Sequence, residues 1–190
     1  GADLGAEKFL DIKCRQANIE PSVIVLVATV KALKYNSGEE IKLNSVEQVF
    51  KGSINLIKHI KNLKKFNKPI VVSINKFETD TEEELNVIKE ICKKEGVDCA
   101  VITSFKDGEK GAISLANIVN RLCMQKENKN RKLKFTYKNK DTIKEKILSV
   151  AKNIYGAKNV NFSNVAEEKL NSIKDNNYQI CIAKTPYSFS

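Results

Sequence analysis

Three short aliphatic runs, set between long stretches of helical period, constrain this chain more than any other feature. Residues 22–29 are a continuous branched-aliphatic run, residues 70–74 a second, and residues 98–103 a third. Each has strand length, and unbroken aliphatic character marks a strand buried on both faces, as in a parallel sheet. Between the first two runs, Val49, Phe50, Ile54, Ile57, Ile60 and Leu63 recur at helical spacing and predict a helix over 46–66. Between the second and third, Thr81 followed by Glu84 has the spacing of a capping box, and the helix it opens stops at Gly96. A helix over 111–125 follows the third run, and one over 3–17 precedes the first. Strand and helix alternating in this way imply right-handed crossovers. The expected fold is therefore a three-layer α/β arrangement, Rossmann-like or P-loop-like, with a parallel sheet and helices on both faces.

The pattern changes near residues 126–132, where lysines and polar residues replace the periodic segments. The spacing predicts a short strand at 133–137, helices over 142–155 and 165–173, and an apolar piece at 180–183. Residues 1–125 thus read as a parallel α/β segment. Residues 126–190 read as a smaller α/β subdomain, incomplete at its C-terminus.

Composition removes several function classes. No apolar run approaches the ~20 residues a membrane helix needs, and the first residues have neither a basic region nor an apolar core of a signal peptide. The expected setting is soluble and cytoplasmic, with an organelle as the other setting considered. The lack of an initiator Met and the ending Tyr187-Ser188-Phe189-Ser190 suggest a chain trimmed from something longer. Five scattered cysteines with no C-x-x-C pair read as reduced thiols in apolar packing, and one histidine, His59, makes neither a metal cluster nor a triad. His59 reads as a helix-surface residue, and no metal site is expected. The net charge of +10 invites nucleic acid. Its lysines, however, are dispersed among glutamates and asparagines and accompany no recognition motif, which argues against specific nucleic-acid binding.

In an open parallel sheet, ligands bind beyond the carboxyl ends of the strands. Three loops therefore hold the candidate residues: 30–38, 75–81 and 104–108. The second and third each place an aromatic at a strand end, Phe77 and Phe105. Two such faces suit a flat heterocycle held between them; the other reading is that both fold back into the core. Thr79, Asp80 and Thr81 open the following helix, where capping and ligand contact are both available roles. Thr29 and Lys31 lie either beside a ligand or simply at a strand end with a solvated lysine. Asn75-Lys76-Phe77-Glu78 is similar to the guanine-reading N-K-x-D motif of GTPases. It has Glu where Asp is required, and no G-x-x-x-x-G-K-[ST] phosphate loop accompanies it.

A far more specific likeness covers essentially the whole chain. Gly1-Ala2-Asp3-Leu4-Gly5-Ala6-Glu7-Lys8-Phe9 and Val27-Ala28-Thr29-Val30-Lys31-Ala32-Leu33-Lys34 resemble formate–tetrahydrofolate ligases, the second stretch resembling the family's V-A-T-[IV]-R-A-L-K-x-[HN]-G-G signature. Phe77 with Thr79-Asp80-Thr81-Glu82, then Ile154-Tyr155-Gly156-Ala157, then Ala183-Lys184-Thr185 follow in the family's order.

The resemblance implies an ATP-dependent ligase that makes 10-formyltetrahydrofolate from formate through formyl phosphate. It implies Phe77 and Phe105 as the folate stack, Thr79, Asp80 and Thr81 as the adjoining loop, and Thr29, Lys31 and Lys184 on the nucleotide side. ATP with Mg²⁺ would be held mostly by residues outside this chain, which alone would be inactive for want of the phosphate loop. Tetrahydrofolate, formate and ATP are the implied substrates, and the rest of a homo-oligomeric parent the implied partner. The alternative is a non-catalytic folate-binding or scaffold remnant, and a basic nucleic-acid module comes third. Lys31 stands where the signature has Arg, Ser37 where it has the first of two glycines, and Phe105 where bacterial members carry Trp. Pro186 and Phe189 alter the closing stretch. A left-handed backbone at Ser37 would be strained.

Overall fold

The computed structural model describes residues 5–183. The chain divides into two units, one formed by residues 21–132 and the other by residues 5–20 together with 133–183. The first helical stretch therefore belongs with the C-terminal segment and not with the sheet.

In the unit 21–132, three strands form one parallel sheet in the order β1 (Ile24–Ala28), β2 (Ile70–Asn75), β3 (Asp98–Ile102). The helices are α1 (Val30–Tyr35), α2 (Val46–Lys64), α3 (Glu82–Lys94), α4 (Ser104–Asp107), α5 (Ile113–Met124) and α6 (Lys126–Lys129). A 3₁₀ turn, Gly108–Ala112, separates α4 from α5. Helices cover both faces of the sheet: α2 and α3 pack on each other and on the strands, and α5 packs on β2 and β3.

The three aliphatic runs are strands, but only β2 is buried along its length. Val25 and Val27 of β1 are 42% and 53% exposed, while Leu26 and Ala28 are buried. The expectation of burial on both faces therefore holds for the central strand and fails for β1. β1 is an edge strand of this three-stranded sheet, and no described helix covers the face that carries Val25 and Val27.

Helix α2 departs from its apolar spacing in a similar way. Its buried arc runs through Val49, Gly52, Ser53, Leu56, Ile60 and Leu63, whereas Phe50 and Ile54 face solvent. His59 is buried in that arc and not on the helix surface. The arc is set by what α2 meets, α1 and α3 as well as the sheet, so it is wider than one apolar stripe and takes in polar positions. Gly52 marks the closest approach: a Cβ there would lie 1.7 Å from the Leu33 carbonyl oxygen of α1.

The stretch after β1, expected as a loop, is helix α1 from Val30 onward. Ser37 does not need a left-handed backbone; the residue that does is Gly38, with φ +76°. Helix α3 opens with the expected capping box: Thr81 accepts from the Glu84 amide, and the Glu84 carboxylate accepts from the Thr81 amide. Its acidic first turn faces the positive end of the helix dipole.

The second unit is helical among the described residues, with a π-helical segment Lys8–Cys14, α7 (Ile143–Val150) continuing as a π-helical turn Ala151–Tyr155, and α8 (Asn164–Ser172). The strand expected at 133–137 does not form, because side chains take the backbone groups that a ladder would use. Thr136 N–H donates to Asp11 Oδ1 at 2.7 Å, Leu133 N–H to Glu20 Oε1 at 2.8 Å, and Arg15 Nη2 donates to the Tyr137 carbonyl at 2.7 Å. The Ser149 hydroxyl donates to the Thr136 carbonyl. With these groups satisfied, no strand partner is required. Arg15 also stacks over Phe135, its guanidinium carbon 3.9 Å from the ring centre. The apolar piece 180–183 is likewise irregular.

Candidate functional site

Parallel strands in the order β1-β2-β3 bring three chain reversals to one edge, after Ala28, Asn75 and Ile102. Each reversal is shaped by a short polar side chain. At the first, Thr29 caps α1, its hydroxyl oxygen accepting from the Ala32 amide at 3.0 Å. At the second, Asp80 Oδ2 accepts from the Phe77 amide at 2.8 Å while the Asp80 amide donates to the Phe77 carbonyl at 3.1 Å. Two bonds across residues 77–80 hold the Phe77 backbone in place. At the third, the Thr103 hydroxyl donates to Asp107 Oδ2 at 2.6 Å, and the Asp107 amide donates back to the Thr103 carbonyl at 2.9 Å. That closes the single turn of α4, on which Phe105 stands.

Between the reversals lies an open cavity of about 970 Å³. Lys31, Phe77, Thr79, Asp80 and Phe105 line it, so five of the sequence-derived candidates meet in one place. Thr29 and Thr81 are not on its wall; both hydroxyls serve as helix caps. Lys184 lies outside the described residues. Lys76, Glu78, Thr103, Lys106 and Asp107 complete the lining and were missed in the sequence. Lys76, Glu78, Lys106 and Asp107 do fall within the candidate loops 75–81 and 104–108, and Lys76 and Glu78 within the N-K-x-D-like stretch, but nothing in the sequence singled them out as wall residues.

Neither aromatic is a core residue. Phe105 is 98% exposed and Phe77 46%. Fully burying a phenylalanine side chain is worth roughly 1.5–3 kcal/mol relative to leaving it in water. Phe105 forgoes nearly all of that within this chain, so a face that covered it would gain most of it back. The charged lining is mixed in sign. Lys76 Nζ lies 2.6 Å from Glu82 Oε1, and Lys106 Nζ lies 4.0 Å from Glu78 Oε1, linking the two aromatic-bearing turns. The hydrogen bond from Lys76, reinforced by its charge, holds the Glu82 carboxyl below the usual carboxylate range. A cleft with two aromatic faces and charges of both signs at its rim can take a flat heterocycle that carries polar or ionised substituents.

No group of three or more His, Cys, Asp or Glu side chains among the described residues could hold a metal ion, and the sequence contains no phosphate loop.

No helix among the described residues is long and apolar enough to cross a membrane. Comparison with known proteins matches residues 1–190 to the family model described as formate–tetrahydrofolate ligase. The chain is similar to the formate–tetrahydrofolate ligase of Pelagibacter ubique, with 43% identity over 196 aligned positions that take in the whole of this chain and 34% of that relative. It therefore spans about a third of the length of the curated relative it matches. With its full length covered by the family model and that identity to a curated member, the chain belongs to the formate–tetrahydrofolate ligase family.

Proposed function

We propose that this chain supplies the tetrahydrofolate-binding part of an ATP-dependent formate–tetrahydrofolate ligase, with Phe77 and Phe105 as the two faces of the stack. The observation that carries this reading is the placing of two solvent-facing aromatics on neighbouring strand-end turns of a single cleft, in a chain of this family. A pterin is flat and polar at its edge, so it gains apolar contact from the rings and hydrogen bonds from the rim. Asp80 stiffens the turn under Phe77, with Thr79 beside it on the cleft wall, and Thr103 with Asp107 does the same under Phe105. Such pre-set turns lower the ordering cost of binding.

In this reading the enzyme makes 10-formyltetrahydrofolate from formate, ATP and tetrahydrofolate through formyl phosphate. The phosphate-handling residues belong to other parts of the ligase, because none of the required motif is in this sequence. Lys31 on the cleft wall, with Thr29 behind it, lies toward the nucleotide side. The working enzyme is a homo-oligomer of the cytoplasm.

The test is a calorimetric titration of the purified chain with tetrahydrofolate, followed by an assay with ATP and formate. Saturable folate binding without product formation is the expected result. Absence of binding by a folded chain would remove the folate-stacking reading, and ATP-dependent product from this chain alone would refute the division of labour.

A further inference from the structure

The stretch Asn75-Lys76-Phe77-Glu78, similar to a guanine-reading motif, starts at the last residue of β2 and runs onto the cleft wall. Phe77 serves there as a face of the stack, but its neighbour Glu78 has no part in that reading. Three carboxylates line the cleft: Glu78, Asp80 and Asp107. Two of them are committed to their own turns. Asp80 Oδ2 accepts from the Phe77 amide at 2.8 Å, and Asp107 Oδ2 accepts from the Thr103 hydroxyl at 2.6 Å. Glu82, next along the chain beyond Thr81, is taken by Lys76 at 2.6 Å. Glu78 is the one of the three wall carboxylates with no hydrogen bond among the described residues. Its ion pair with Lys106 is long, at 4.0 Å, and its side chain is 88% exposed. A pair so open to water holds the carboxylate only loosely.

Stacking fixes the plane of a flat ring but leaves it free to turn within that plane. An edge contact is needed to stop the rotation, and a carboxylate supplies a directional one. Its two oxygens match two parallel N–H donors, a fork that adds geometric selectivity to the strength of an ionised acceptor. The 2-amino-4-oxo edge of a pterin offers such a pair, the N3–H and the amino group on C2. Guanine presents the same pair at N1 and its own 2-amino group.

We propose that Glu78 is a specificity-determining residue of the cleft, its carboxylate accepting from the N3–H and 2-amino group of a pterin held between Phe77 and Phe105. This rests on the folate reading and adds what stacking cannot supply, the choice of a 2-amino-4-oxo ring and a single rotation of it. With that edge held, the far side of the bicycle, which carries the arm leading to N10, points in one direction. The methylene by which Glu exceeds the Asp of the guanine-reading motif is no defect here. The ring to be reached is placed by Phe77 and not by a phosphate loop, of which the sequence has none.

The experiment compares two probes, pterin and lumazine, the second being the same bicycle with a carbonyl oxygen in place of the 2-amino group. Fluorescence anisotropy titrations of the purified chain are run in slightly acidic buffer, where both rings keep the N3–H. In the wild type, the 2-oxo group of lumazine meets a carboxylate oxygen, acceptor against acceptor. Pterin is therefore expected to bind more tightly by roughly 5- to 150-fold, the discrimination that a bidentate edge contact gives. Glu78→Gln replaces one acceptor by an amide donor, which opposes the 2-amino group and suits the 2-oxo group. That variant is expected to lose affinity for pterin and gain it for lumazine. Glu78→Ala should bind both rings weakly and alike. A melting curve for each protein shows that it is folded, as the exposure of this side chain leads one to expect.

A gain for lumazine cannot come from mere damage to the cleft, so the reversal in Glu78→Gln is the deciding result. Equal binding of the two rings by the wild type, or a Glu78→Gln protein that keeps the wild-type preference, would overturn the role of Glu78 and leave the stack in place. Binding of neither ring by the folded wild-type chain would also overturn it, and the tetrahydrofolate titration then decides whether the stack falls as well.

Discussion

Lys34 Nζ lies 2.6 Å from Glu84 Oε1, with both side chains almost wholly buried, and this ion pair ties α1 to the first turn of α3. The same carboxylate completes the capping box with Thr81. One residue thus joins the reversal after β1 to the reversal after β2, which between them place Lys31 and Phe77 on the cleft wall. Removing the lysine alone would leave a buried carboxylate without its partner, at a typical cost of ~3–5 kcal/mol. Lys34→Ala is therefore expected to lower the urea midpoint sharply. Lys34→Met combined with Glu84→Gln keeps an acceptor for the cap without the charge, and should recover much of the loss. A Lys34→Ala protein as stable as wild type would show that the pair is dispensable.

The same carboxylate has a predictable pH signature. Burial opposes its ionisation, but hydrogen bonds from Lys34 and from the Thr81 and Ser45 amides, with the lysine charge, outweigh burial and hold Glu84 below the usual carboxylate range. Its folded pKa is thus depressed below the unfolded value of about 4.3. The stability it contributes is complete above that unfolded value and is lost as pH falls through the folded pKa. Wild type should exceed Glu84→Gln in stability at neutral pH, and the gap should close in acid. Melting curves from neutral pH down to about pH 3 would measure it; a gap that does not change with pH would assign the difference to packing instead.

Gly52 and Gly38 are each required, for different reasons. At Gly52 an added methyl would meet the Leu33 carbonyl oxygen at 1.7 Å, so α1 and α2 would have to separate. Overpacking of this kind costs ~1–3 kcal/mol or more, and Gly52→Ala is expected at the upper end or beyond. At Gly38 nothing lies within 4 Å, and only the backbone, with φ +76°, resists a side chain. Gly38→Ala should cost roughly 1–2 kcal/mol. Denaturant melts of both variants give the comparison, and a milder effect at Gly52 than at Gly38 would contradict the close approach.

Binding should respond to the aromatics without a matching loss of stability. Phe105 is so exposed that Phe105→Ala should leave the melting temperature unchanged while weakening tetrahydrofolate binding. Removing a stacking ring costs ~1–3 kcal/mol where aromatics hold nucleobases, and Phe77→Ala is expected in the same range. Phe105→Trp enlarges the platform and should tighten binding. Folate titrations with a melt of each variant separate these outcomes. Unchanged affinity in a folded Phe77→Ala protein would end the stacking assignment.

The sequence by itself determined the order of elements in the sheet-forming unit, because period and punctuation are local. The aliphatic runs became β1, β2 and β3, Thr81 and Glu84 made their capping box, and α3 stopped at Gly96. Motif order likewise identified the family, since several short matches in sequence need no coordinates. Burial was not local. Phe50 and His59 sit nine positions apart in one helix, yet the phenylalanine faces water and the histidine is enclosed, because α1 and α3 decide which arc of α2 is covered. The same holds for Val25 and Val27, whose face stays open at the sheet edge. The residues 133–137 have strand-like composition, but Asp11 and Arg15, more than a hundred positions away, take their backbone groups. Only the tertiary structure could bring Lys76, Glu78, Lys106 and Asp107 to the wall beside the aromatics, because a cleft between strand ends is made by neighbouring strands, and pairing between strands has no signature within either one.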